Sequence, residues 1–191
     1  MDDRAAAYQA VSYLIQQGHR KIAVLGGPAT SHPSMMRRQG AQQAMEDAGI
    51  RFEDKLYGLS NYDFESAYHA MNGLLARRAE FTALFAMSDV IAFGAIRALV
   101  SAGLRVPEDV SVIGFDGITM SRYCVPVMTT IVQPSEQIAL QSIELLVRQI
   151  EHGTPRSDRD AAAGVAAGRE RKGPLNFVFP PSKDGEYIVD L

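Results

Sequence analysis

The chain has 191 residues, 47% hydrophobic and 21% charged, with a formal net charge of −3. That length supports one substantial core, or one core with an appendage, and the mild acidity argues against a nucleic-acid surface, because phosphate contacts need clustered Lys and Arg. The single Cys124 excludes an internal disulfide framework and fits a reducing compartment; it reads as a small semi-buried residue rather than a reactive thiol. No signal-peptide pattern opens the chain and no long apolar run crosses it, so neither export nor a membrane-spanning helix is expected.

Apolar spacing then sets out the elements in order. Residues 3–17 carry Ala7, Val11 and Leu14 at helical intervals, and Gly18 can close that helix. Lys21 to Leu25 is a short apolar strand, Ser34 to Ala48 a helix ended by Gly49, and Lys55 to Ser60 a weaker strand. Phe64 to Arg78 is helical, with Tyr68, Met71, Leu74 and Leu75 on one face. Phe81 to Ala86 is a strand, and Val90 to Ala102 a helix capped by Ser88 or Asp89 and stopped by Gly103. Val110 to Phe115 is a strand, Met128 to Val132 a short extended run, and Ser135 to Ile150 a long amphipathic helix. Strands alternating with helices of this length need right-handed crossovers, which predicts an α/β fold, a doubly wound parallel sheet of Rossmann-like layout.

The most informative stretch is Arg105-Val-Pro-Glu-Asp-Val-Ser-Val-Ile-Gly-Phe-Asp-Gly117. Pro107 fixes the entry, a β-branched run makes a buried strand, and Gly114 lets the backbone turn. Asp116 is thereby placed at the carboxyl end of a parallel strand, the edge where open α/β sheets take their ligands.

This stretch resembles the signature of the LacI/GalR family of transcription regulators. Three further segments agree in order and spacing: Gly18-His-Arg-Lys-Ile-Ala23 followed by Gly26-Gly-Pro28, Arg37-Arg-Gln-Gly40, and Ala86-Met-Ser-Asp-Val-Ile-Ala-Phe-Gly-Ala95. The resemblance covers roughly residues 2–153. It implies that 2–132 are the C-terminal lobe of a periplasmic-binding-protein-like effector domain. Residues 133–153 would be a crossover helix that in the family packs on the N-terminal lobe. The helix-turn-helix head and most of the N-terminal lobe have no counterpart in this sequence. Residues 154–191 form an atypical tail: Arg156 to Arg171 is Ala, Gly and charge without apolar periodicity. Poor order is expected over 155–175, with Asn176 to Phe179 and Tyr187 to Val189 as improvised strands. A one-base shift of reading frame near Arg156 would permit a family-like ending, and codons that cannot yield one would exclude it.

Five residues are candidates for ligand binding. Asp116 offers a carboxylate to hydroxyl or N–H groups, and the matching family residue contacts the effector; the alternative is a turn or cap aspartate. Arg37 matches the family arginine that reaches the effector with a fork of donors, against an exposed helix arginine paired with Glu46 or Asp47. Arg38 beside it is expected to face solvent. Tyr62, just past the second strand, either stacks on a sugar face or base or covers the core. Ser88 stands where the family commonly has Asn, keeping a small donor and acceptor but losing the amide's reach, while Asp89 is assigned to capping the next helix. Gln133 lies at the hinge toward the other lobe.

Other features point away from chemistry. Gly26-Gly27-Pro28 lacks the remaining glycines or the lysine of a phosphate loop and reads as a turn. His19, His32, His69 and His152 have no metal-ligand spacing, and His19 is read as structural; no catalytic set stands in a plausible context, so neither enzyme activity, metal nor cofactor is expected. The resemblance implies a cytoplasmic, homodimeric regulator whose small effector, a sugar or related molecule, alters operator binding by the head. Candidates for the dimer surface are Val90, Ile91, Ile96, Val100 and the stretch Tyr123 to Met128. A sugar-binding lobe of a periplasmic transport protein is the alternative, and an α/β enzyme the third reading.

Overall fold

A computed structural model describes residues 1–152 and 177–178. The described residues fall into two units. One holds Asp3 to Val132 with the strand at 177–178, and the other holds Met1 and Asp2 with the segment from Gln133 to His152.

The larger unit alternates as predicted. Its elements are α1 (Asp3–Gln16), β1 (Ile22–Gly26), α2 (His32–Asp47), β2 (Tyr57–Leu59), α3 (Phe64–Ala76), β3 (Ala83–Ala86), α4 (Asp89–Ser101), β4 (Ser111–Asp116), β5 (Thr129–Val132) and β6 (Phe177–Val178). Single 3-10 turns precede β2 (Asp54–Leu56) and follow β4 (Thr119–Arg122). The sheet order is β2-β1-β3-β4-β5-β6. The first five strands are parallel, and β6 adds antiparallel to β5 through Thr130 and Ile131.

Strands β1 and β3 are buried along their whole length, and accordingly read as unbroken small and apolar runs, Ile-Ala-Val-Leu-Gly and Ala-Leu-Phe-Ala. The chain leaves β1 toward β2 on one side and returns to β3 on the other, so the sheet's switch point is the crevice beyond the carboxyl ends of β1 and β3.

The helix pair α1 and α2 is held together by small side chains. Ala6, Ala7 and Ala10 are buried on α1, and Ala41 and Ala44 on α2. Between them Gly40 packs so closely that a Cβ there would stand 2.1 Å from the Arg4 carbonyl oxygen. This crossing brings the first turn of α1 against the middle of α2. Helix α2 starts two residues earlier than the periodicity suggested, because Pro33 in its first turn needs no hydrogen-bond partner there.

In the second unit, α5 (Ser135–His152) is an amphipathic helix with an Arg148–Glu144 ion pair one turn apart. Its apolar residues Leu140, Ile143, Leu146 and Ile150 are exposed. The expectations for 155–175, for a frame shift near Arg156 and for a strand at Tyr187 to Val189 lie outside the described residues. The expected strand at Asn176 to Phe179 is present at its two central residues.

Candidate ligand-binding site

Arg37 lies on α2, the helix that follows β1, and points to the switch point. Its Nε donates to Asp3 Oδ1 at 2.9 Å, and Nη2 lies 2.9 Å from the same oxygen. Nη1 donates to the Met87 carbonyl just past β3, and stands 3.6 Å from Asp116 Oδ1 at the end of β4. The face of the guanidinium covers the Phe115 ring, with Cζ 3.6 Å from its centroid. The side chain is only 7% exposed. Arg37 is therefore neither an exposed helix arginine nor a partner of Glu46 or Asp47. It joins α1, β3 and β4 at one point.

Two of the candidates sit in strained backbone. Asp116 has φ 127° and Tyr62 φ 60°, both in the left-handed half of the map that residues with a Cβ avoid. Such outliers persist where the surroundings over-determine them, and they collect at ligand sites. Around Tyr62 those surroundings are visible. Its hydroxyl lies 2.6 Å from Ser34 Oγ on α2. Ser60, just before it, is buried and donates both its N–H and its hydroxyl to the Gly26 carbonyl, at 2.8 and 2.9 Å. The loop after β2 is thus tied to the end of β1, which sets Tyr62 over the same edge as Arg37 and Asp116.

Ser88 and Asp89 divide their roles differently from the expectation. Ser88 is the cap of α4: its Oγ accepts the Ile91 N–H at 3.1 Å. Asp89 does not cap; fully buried, it accepts the Ile118 N–H at 2.8 Å and the Thr130 hydroxyl, pinning the turn after β4 to β5. Burial pushes its carboxyl pKa up, opposed by those hydrogen bonds. Asp89 thereby supports the strained turn that carries Asp116. Gln133 falls in the other unit.

Three further corrections apply. Arg38 does not face solvent freely: its guanidinium lies over the Tyr57 ring, 4.5 Å from the centroid. Ile91 is fully buried and Met128 is 3% exposed, so both belong to the core and leave the set of surface candidates. Asp3, Ser34 and Ser60 belong to the site's framework and were not among the sequence candidates. The alanine-rich face of α1 facing Gly40 was the one available signal for Asp3. His19, read as structural, pairs with Thr82 at 2.9 Å between Nδ1 and Oγ1, and burial pushes its pKa down.

A cleft of about 410 Å³ opens at the opposite end of the sheet, between His19, Tyr13, Ile96, Pro107 and Met128. Its walls are the amino-terminal starts of β4 and β5, and none of the five candidates lines it. Among the described residues no group of three His, Cys, Asp or Glu is arranged to hold a metal ion.

Known proteins match this chain in sequence and in fold. The family model of the periplasmic binding protein-like domain matches residues 11–168. The chain belongs to that family. The HTH-type transcriptional repressor CytR of Escherichia coli (strain K12) is 38% identical over 151 residues, 79% of this chain and 44% of CytR. Among solved structures, the transcriptional regulator CelR–cellobiose complex superposes with a TM-score of 0.77 and 35% identity, covering 82% of this chain and 48% of CelR. A LacI family transcriptional regulator from Enterococcus faecium with bound ribose gives a TM-score of 0.74 and 30% identity, over 82% of this chain and 58% of that one. The LacI/GalR resemblance carried by the four motifs is thus borne out, as is the α/β architecture. The chain spans less than half the length of the curated relative, so it corresponds to one part of such a regulator.

Proposed function

We propose that this chain supplies the effector-sensing lobe of a LacI-type transcription regulator. The observation that carries this is the convergence of Arg37, Asp116 and Tyr62 at the carboxyl edge of the sheet, at the switch point, with two of the three in strained backbone. A carboxylate that accepts hydrogen bonds and an aromatic ring that packs on C–H groups suit a polyhydroxylated or base-like molecule. The cellobiose and ribose bound by the two structural relatives support the same chemistry. Ser88 completes the proposed contact set on this unit, through the bonding capacity of its hydroxyl beyond the cap.

Binding would act by differential affinity for two arrangements of the lobes, which changes how a DNA-binding head meets its operator. The role is regulatory rather than catalytic, exercised in the cytoplasm by a homodimer. No helix among the described residues is long and apolar enough to cross a membrane.

The test has two arms. Calorimetry with cellobiose, ribose and nucleosides should find a ligand whose affinity falls at least tenfold in Asp116→Asn, about 1.4 kcal/mol. The coding sequence upstream of Met1 should specify a helix-turn-helix, and its longer product should bind operator DNA in a ligand-dependent way. A secretion signal upstream instead would favour the transport-protein reading.

A further inference from the structure

The cleft at the amino-terminal end of the sheet is framed by fixed backbone and takes no part in the proposed effector site. Its floor extends the strand ladder beyond the strands themselves. The Thr82 N–H donates to the Lys21 carbonyl at 2.9 Å, and the Ser111 N–H donates to the Thr82 carbonyl at 3.0 Å. Its rim is the loop before β4, which carries Val106 and Pro107. Arg105 closes that loop on itself. Its Nε and Nη2 donate to the Asp109 carboxylate at 2.9 and 2.7 Å, its N–H donates to Asp109 Oδ2 at 2.8 Å, and its carbonyl accepts the Asp109 N–H at 2.9 Å. A site carried on backbone held in this way needs little ordering when a ligand enters.

The lining sets the chemistry. At about 410 Å³ the cleft holds one ring system rather than a stretch of polypeptide. Among the described residues no Asp, Glu, Lys or Arg lines it. His19 does, and its Nδ1 is engaged with the Thr82 hydroxyl at 2.9 Å. Burial lowers the His19 pKa, so the imidazole is neutral at pH 7. An ionic ligand would give up its hydration there without meeting an opposite charge. The walls are rings and soft apolar groups: Pro107, Pro126, Ile96 and the thioether of Met128. Such groups pack on the face of an aromatic ring. His19, Gln17 and Ser111 add hydrogen-bonding groups to the same lining. We infer that this cleft is a second ligand site, which takes an uncharged aromatic molecule carrying a hydrogen-bonding group, of the phenol or indole kind. The inference goes beyond the effector reading and does not depend on it.

The probes are phenol and indole, titrated into the chain while its backbone amide signals are followed by NMR. Saturating shifts are expected at Gln17, Ser111 and Thr129, with Gly117 at the carboxyl edge unmoved. Indole-3-acetate, the same ring with a carboxylate, should bind about tenfold more weakly than indole. Ser111→Phe places a ring in the cleft and should weaken indole about tenfold. Gln17→Trp, at an exposed position just past α1, serves if Ser111→Phe loses the dispersed spectrum of the folded chain. Shifts that stay linear through the millimolar range overturn the inference, as do shifts centred on Gly117. Equal affinity for indole-3-acetate overturns it too, and so does undiminished indole binding in a folded variant with the cleft filled. Indole binding that weakens as the chain is concentrated would give the cleft to a second copy, and likewise overturns it. None of these failures touches the proposal for the carboxyl edge.

Discussion

Tyr62 fills the space that a side chain at Gly27 would need: a Cβ at that glycine would stand 2.2 Å from the ring's Cε2 and Cζ. The residue after β1 and the loop after β2 are therefore one unit of packing. The Tyr62 hydroxyl, 2.6 Å from Ser34 Oγ, adds a second hold. An aromatic ring held against Gly27 and tied to Ser34, in backbone with φ 60°, is preorganised and loses little freedom when a ligand packs on it.

Gly27→Ala should expel the ring. Overpacking of this kind costs about 1–3 kcal/mol in urea unfolding, and ligand affinity should fall with it. Tyr62→Phe removes only the bond to Ser34, at about 1 kcal/mol, and leaves the ring in place. If Gly27→Ala proves no more costly than Tyr62→Phe, the ring has another place to go and the packing argument fails.

Much of this edge was legible in the sequence. The apolar alternation placed every α-helix and all five parallel strands, the motifs placed Arg37 and Asp116 at the right ends of them, and the position of Tyr62 just past the second strand placed it at the same edge. What was not legible depends on contacts between residues far apart in the chain. Asp3 and Arg37 are brought together by an Ala- and Gly-lined helix crossing, which carries a periodicity but no pattern that names its partner. Ser88 and Asp89 are adjacent, and either could have capped α4. Which one did was decided by Thr130 and the Ile118 N–H, which take Asp89 into the interior.

The same division of labour separates two variants. Ser88→Ala removes a helix cap and should cost about 1 kcal/mol. Asp89→Ala leaves the Ile118 N–H and the Thr130 hydroxyl buried without their acceptor, and should cost about 2–3 kcal/mol. It should also loosen the turn at Asp116, seen as faster amide exchange at Gly117 and Ile118. Equal costs for the two variants would return Asp89 to a simple capping role.

Asp109 gives a pH marker. Hydrogen bonds from the Arg105 side chain and backbone hold its carboxyl at about 2, below the ordinary 3.8. A depressed carboxyl stabilises the fold above the unfolded value, and that contribution disappears as pH falls from 3.8 toward 2. Asp89 has the opposite sign: its raised pKa makes its contribution greatest below 3.8, falling as pH rises through the raised value. A carboxyl NMR titration should find the Asp109 midpoint near 2 and return it toward 3.8 in Arg105→Gln. A midpoint near 3.8 in the wild type would show that the ion pair does not persist in solution.

Between β4 and β5 the chain exposes a group of large apolar side chains that the unit's own core does not cover. Val125 is 97% exposed and Tyr123 76%, with Met120 also exposed. On α4, Val100 is exposed while Ile91 is consumed by the core. Exposed apolar side chains grouped in one loop mark a candidate interaction surface, whose covering contributes about 25 cal/mol for each Å² removed from water. The proposed occupant is a second copy of the chain, and an interface through the Met120–Val125 loop would couple two lobes through the segment that follows Asp116. Sedimentation velocity should show a concentration-dependent dimer for the wild type, and Tyr123→Asp with Val125→Asp should sediment as a folded monomer. A wild-type monomer across the accessible concentration range would remove this surface from the dimer proposal. A dimer that survives the double substitution would move the interface elsewhere, with Val100 and α4 the next residues to change.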